Sequence, residues 1–127
     1  MAIETIQTEK APAAIGPNSQ AIAAGGFVFV SGQIPLIPET GQMAGQDPTI
    51  QFRQAMANLA QVLAAAGCAL ESVVSVDVFL TDISQFAAFN EVYRQYFVKH
   101  KPARAVIEVS ALPKGAKVEI KCIAYKG

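Results

Sequence analysis

Polar and apolar positions alternate along some stretches of this chain and recur every three or four residues along others, and the change of period divides it into elements. From Val73 to Leu80 the alternation predicts a strand. Val74, Val76, Val78 and Leu80 fall on one face, and Val73, Ser75, Asp77 and Phe79 fall on the other, which is therefore half apolar. Gln20 to Ala24 and Phe27 to Ser31 read as two strands joined at Gly25-Gly26, a hairpin signal. Pro102 to Val109 and the run from Lys117 onward read as two more, separated by a turn at Leu112-Pro113-Lys114-Gly115. Arg104, Val106 and Glu108 share one face of the first of these. In the second, Val118, Ile120, Cys122 and Ala124 are set against Lys117, Glu119 and Lys121. Before the hairpin, Pro12, Gly16 and Pro17 mark a loop that leaves room for one short strand ahead of it.

Two stretches carry the helical period. Phe52, Met56, Leu59, Leu63 and Ala66 form an apolar stripe, with Asp47 placed to cap it, Pro48 at the first position and Gly67 at the end. Further on, Asp82 with Gln85 resembles a capping box, and Ile83, Phe86, Phe89, Tyr93 and Phe97 form the stripe expected to be buried. Asn90 falls four residues after Phe86 and three before Tyr93, within or beside that stripe. The order β-β-β-α-β-α-β-β predicts an α+β domain, a mixed sheet with two helices on one face. Two helices cannot also cover the second face, and the half-apolar side of Val73–Leu80 predicts that a copy of the same chain does so.

Composition sharpens this. A single domain over 1–127 fits the length. Lys+Arg and Asp+Glu both number 10, so nothing provides an electrostatic grip on nucleic acid or an anionic membrane. Hydrophobic residues make up 52% and charged residues 16%, apolar for a small monomer and a second pointer to self-association. No apolar run reaches the ~18 residues of a membrane span. The start Met-Ala-Ile-Glu-Thr lacks the pattern of a secretory signal, and Cys68 and Cys122 form no metal-ligand motif. The expectation is a cytoplasmic protein with two reduced thiols.

Arg104 stands alone in a small, apolar segment. Its planar fork suits a carboxylate, but the same residue could serve a sheet edge or pair with Glu108 or Glu119 to hold register. Gly32 either admits a ligand or second backbone, or merely bends its strand. Asn90 is a structural bridge or a pocket wall. His100, between Lys99 and Lys101, reads as part of a solvated patch and not as an acid–base group.

Several motifs, in order and over nearly the whole chain, resemble the RidA/YjgF family. They are Ala11-Pro12-Ala13-Ala14-Ile15-Gly16-Pro17, Ser31-Gly32-Gln33-Ile34-Pro35, Phe86 to Tyr93, Pro102-Ala103-Arg104, and Leu112-Pro113-Lys114 leading to Val118-Glu119-Ile120. The resemblance implies a chorismate-mutase-like subunit and a homotrimer with clefts at the subunit interfaces. It implies cofactor-independent hydrolysis of 2-imino or 2-enamino acids, such as 2-aminoacrylate and 2-iminobutyrate, to 2-keto acids and ammonia. It assigns Arg104 to the substrate carboxylate and Glu119 to the attacking water. It also implies contacts from Ser31, Gly32, Asn90 and the main-chain carbonyl of Val106. Two positions depart from the family pattern: Asn18 stands where a tyrosine is common, and Val106 where a cysteine is common. The Asn18 departure keeps open a non-catalytic trimer that binds or senses small carboxylates. The ribonuclease label attached to some relatives fits neither the zero net charge nor the isolated His100. A holdase-type chaperone role would suit any apolar trimer.

Overall fold

The computed structural model describes residues 2–127. Six strands form one sheet: β1 (Glu4–Ile6), β2 (Ala21–Ala24), β3 (Phe27–Gln33), β4 (Val73–Leu80), β5 (Ala103–Glu108) and β6 (Val118–Tyr125). Their order is β1-β2-β3-β6-β4-β5, with only β4 and β5 parallel. The helices are α1 (Pro48–Ala65) and α2 (Phe86–Tyr96). Each follows the strand before it and returns the chain to the sheet, so both lie on one face. The expected α+β architecture of a mixed sheet with two helices is the one observed.

The hairpin forms because Gly25 and Gly26 both take positive φ (58° and 85°), which a two-residue turn of this hand demands. Asp47 caps α1 by accepting from the Thr49 N–H at 2.9 Å, and Pro48 supplies the first-turn φ. The α1 stripe of Phe52, Met56, Leu59 and Leu63 is buried against Val28, Val30, Val76, Val78 and Ile120. Cutting any one of these large side chains to alanine costs about 2–5 kcal/mol.

Three local expectations are corrected. Val73 is buried with Val76, Val78 and Leu80, while Val74 faces outward at 43% exposure. A bulge explains the exchange: Val73 pairs with Ala124 and Ser75 with Ile123, so Val74 is the extra residue. At α2, Ile83 to Gln85 form a separate 3-10 turn, and Asp82 accepts from the Ser84 N–H and hydroxyl. No capping box forms there, and α2 buries Phe89 and Val92 while Ile83 and Phe86 remain exposed. The 3-10 turn rotates the two leading residues off the core side. His100 is not freely solvated: it is half-buried, and its Nε2 meets the Val73 carbonyl at 2.5 Å, at the bulge.

The second sheet face is uncovered and apolar. Phe29 (46% exposed) and Tyr125 (50%) flank Phe27, whose ring lies 4.9 Å from that of Tyr125. Exposed Val74 and Ile107 extend the same face across β4 and β5. An ion pair on it, Lys121 to Asp77 at 3.9 Å, is exposed and worth little.

Candidate functional site

The residues singled out in the sequence gather into two groups on opposite faces of the sheet. Glu119 lies on β6, out of phase with the buried Val118 and Ile120, and so on the uncovered face. Arg104 lies on the edge strand β5 in register with buried Val76, and so on the helix face. The two strands flank β4, so their backbones are roughly 10 Å apart. Within one chain Arg104 and Glu119 do not share a cavity.

The first group lines a cavity of about 270 Å³ with Asn18, Ser31, Gly32 and Glu119 on its walls, closed by Pro12 and Ile15. A second bulge shapes it: Val30 pairs with Cys122 and Gln33 with Ile120, leaving Ser31 and Gly32 opposite one residue of β6. The bulge bends β3 at Gly32, and a Cβ built there would run into the Glu119 carboxyl, 2.7 Å from its Cδ. Gly32 bends its strand at the bulge, and what comes close to it is the Glu119 side chain and not a second backbone. Half-burial raises the pKa of Glu119 above the usual carboxylate value, an effect that nearby Lys121 partly offsets. Ser31 ties the wall together: its hydroxyl donates to the Ser19 carbonyl at 2.5 Å and its N–H to the Gln20 carbonyl at 2.9 Å. Asn18 folds back on its own loop, its amide nitrogen turned to donate to the carbonyls of Ile15 (2.7 Å) and Gly16 (3.3 Å).

Buried amides missed in the sequence reading tie down the loops, Gln20 and Asn58 at the cavity wall and Gln51 beyond it. Buried Gln20 donates to the carbonyls of Thr8 (3.0 Å) and Pro12 (2.8 Å) and accepts from the Thr8 N–H (2.7 Å). Buried Asn58 donates to the carbonyls of Ile34 and Leu36, and buried Gln51 to that of Gly45 while accepting from the Lys117 N–H. Their signal was available: Gln51 and Asn58 share a helical face with Ala55 and Val62, where a buried amide must find partners.

In the second group, the Arg104 guanidinium donates to Asn90 Oδ1 at 2.9 Å. Its central carbon lies 4.6 Å from the Tyr93 ring centroid and 5.7 Å from that of Phe86. Neither acidic partner considered for Arg104 takes it. Glu108 instead accepts from the Ile83 N–H at 3.0 Å, and Glu119 is on the other face. Asn90 is thus a bridge and a wall at once, lining with Arg104, Lys101 and Phe97 an open cleft. Val106 is half-buried against the core in register with Val78. Cys68 and Cys122 are buried free thiols, and burial pushes Cys122 up to about 12.

Among the described residues no cluster of His, Cys, Asp and Glu is placed to hold a metal ion, and no helix is long and apolar enough to cross a membrane. Residues 8–126 match the family model described as Endoribonuclease L-PSP. A RutC family protein of Pyrococcus abyssi is 51% identical over 126 residues, 99% of each chain. A 2-iminobutanoate/2-iminopropanoate deaminase of Capra hircus is 47% identical over 122 residues, covering 96% of this chain and 89% of that protein. The crystal structure of E. coli TdcF with bound serine superposes with a TM-score of 0.93 at 40% identity, covering 98% of this chain and 99% of that one. With the motifs, the sheet order and these matches in agreement along nearly its entire length, the chain belongs to the RidA/YjgF family.

Proposed function

We propose that this protein hydrolyses small 2-imino and 2-enamino acids, such as 2-aminoacrylate and 2-iminobutyrate, to 2-keto acids and ammonia, in sites shared between copies of the chain. The observation that carries this reading is the state of Arg104. Among the described residues its guanidinium has one hydrogen-bond partner, the neutral Asn90, so N–H groups remain for a carboxylate. The deaminase name of the Capra hircus relative and the serine bound in TdcF, itself a small amino acid, support the same substrate class.

Because Arg104 and Glu119 face opposite sides of one sheet, a complete site needs the Arg104 cleft of one copy set against the Glu119 cavity of another. The uncovered face with Phe27, Phe29 and Tyr125 supplies apolar surface for that association, and a closed homotrimer provides three such junctions. The compartment that fits this reading is the cytoplasm.

The chemistry asks for little beyond position. Arg104 holds the carboxylate and so fixes the plane of the imine. Water adds to the imine carbon as the C=N electron pair moves to nitrogen; the Glu119 carboxylate accepts the proton the water loses and gives it to that nitrogen, leaving a carbinolamine. Glu119 then takes the carbinolamine hydroxyl proton and passes it to nitrogen, so that the C–N bond breaks, ammonia leaves, C–O becomes C=O and the carboxylate is regenerated. Gly32 brings main-chain polar groups to the cavity wall, with Ser31 beside it tied to Gln20, Ser19 and Gln33, and Val106 keeps its carbonyl.

A second reading is a trimer that binds small carboxylates without turnover. It is favoured by Asn18, whose amide is spent on Ile15 and Gly16. A threonine dehydratase coupled to semicarbazide trapping separates the two. Faster loss of the imine on adding the protein supports hydrolysis, whereas pyruvate binding with no acceleration supports the carrier.

A further inference from the structure

Phe86, Asn90 and Tyr93 stand at i, i+4 and i+7 along α2 and so share one helix face. All three meet the same group, the Arg104 guanidinium: Asn90 by a hydrogen bond of 2.9 Å, Tyr93 and Phe86 through their rings at 4.6 and 5.7 Å. The core does not explain Phe86, which is 40% exposed while the buried side of α2 is supplied by Phe89 and Val92. A guanidinium on an edge strand has many rotamers to choose from, and one hydrogen bond leaves it free to swing about that bond. Ring contacts remove that freedom, because a cation over an aromatic face is attracted to it.

We propose that Phe86 and Tyr93 are positioning residues which, with Asn90, clamp the guanidinium so that its free N–H groups meet a carboxylate in a single orientation. The inference rests on the reading of Arg104 as the carboxylate holder. The ring of Tyr93 does this work, not its hydroxyl. Tyr93 Oη is buried with no hydrogen-bond partner among the described residues, and burial pushes its pKa up to about 12, so it stays un-ionised near neutrality and cannot serve as a base. Tyr93 also packs on the core beside Phe89 and Phe97, so it is the exposed Phe86, with Asn90, that core packing does not require.

The test is a double-mutant cycle with pyruvate binding and imine-hydrolysis kinetics as readouts, on variants whose circular dichroism and sedimentation match the wild type. Phe86→Leu should raise the pyruvate Kd and the substrate KM roughly 3- to 30-fold, with a smaller change in kcat. Tyr93→Leu should act in the same direction and Tyr93→Phe should behave as wild type. In an Arg104→Ala background, Phe86→Leu should add nothing, since the group it orients is gone. Should Tyr93→Leu fail to fold, the exposed Phe86 carries the test alone. An unchanged Kd in Phe86→Leu, or an equal loss with and without Arg104, overturns the clamp while leaving the carboxylate site standing. If Arg104→Ala itself binds pyruvate as wild type does, the proposed site falls and the clamp with it.

Discussion

The carboxyl group of Glu119 occupies the space that a side chain at position 32 would fill, and Gly32 is what leaves that space open. Gly32 is not in the left-handed region, so an alanine there is opposed by the contact with Glu119 and not by the backbone. What must give way is the end of a flexible side chain. Gly32→Ala should therefore fold and assemble with a Tm close to wild type yet lose roughly 100-fold in turnover, the scale of a displacement of about 1 Å in a catalytic group. Differential scanning calorimetry beside the coupled assay checks both halves. Full activity in Gly32→Ala would show that the carboxylate does not need its present seat.

Glu119 should leave a mark on both pH profiles. Its folded pKa is raised by burial, so the native state holds this proton more tightly than the unfolded chain. Stability then falls as pH rises from the unfolded pKa through the folded one, and the penalty stays at every higher pH. Glu119→Gln removes a partly buried charge and should raise the Tm at pH 7 while leaving it little changed well below pH 4.5, the ordinary value of this group. Turnover should drop in the same variant with pyruvate still bound, and the acid limb of the wild-type profile should inflect above 4.5. A lower Tm at pH 7 in Glu119→Gln, with the difference vanishing in acid, would mean that the folded protein lowers this pKa instead of raising it.

Arg104→Lys keeps the charge and loses the fork. A charge-assisted hydrogen bond is worth about 1.5–3 kcal/mol, so pyruvate or 2-ketobutyrate should bind about 10- to 100-fold more weakly. Arg104→Ala should be worse in both binding and turnover. Titration calorimetry on folded, assembled variants measures this, and wild-type affinity in Arg104→Ala would return the arginine to a role in strand register.

Regular elements were legible in the sequence because period and turn chemistry agree: the hairpin at Gly25-Gly26 and the cap of α1 formed as the residues suggest. Reading failed at interruptions of the period. One inserted residue at Val74 exchanges two valines between faces, and one 3-10 turn takes Ile83 and Phe86 off the core. Alternation cannot register either: the bulge is set by pairing with β6, and the turn by Asp82 bonding Ser84 two residues on instead of opening α2 directly. Site residues were found one by one, and their separation was not. Arg104 and Glu119 each follow from local pattern and motif, but their opposite faces follow from the order β3-β6-β4-β5.

Cysteine chemistry should be dispensable. Cys68 and Cys122 are buried, and a thiol pushed up to about 12 at Cys122 is almost wholly protonated at neutral pH. Iodoacetamide applied to the native protein should modify neither to any extent in an hour, with activity unchanged, as read by intact mass and the coupled assay. Rapid alkylation accompanied by loss of activity would mean that a thiol serves the reaction.

The division of the site between two copies is most directly tested by mixing two inactive proteins. Arg104→Ala and Glu119→Gln are each purified, shown to sediment as the wild type does, unfolded together in equal amounts and refolded. In a closed ring where each site takes its arginine from one copy and its glutamate from the next, about one site in four regains both residues, so the mixture should recover roughly a quarter of the wild-type rate. Each variant refolded alone should stay near its own low rate. A mixture no more active than its components, with mixed assemblies demonstrated by native mass spectrometry, would contradict the shared site.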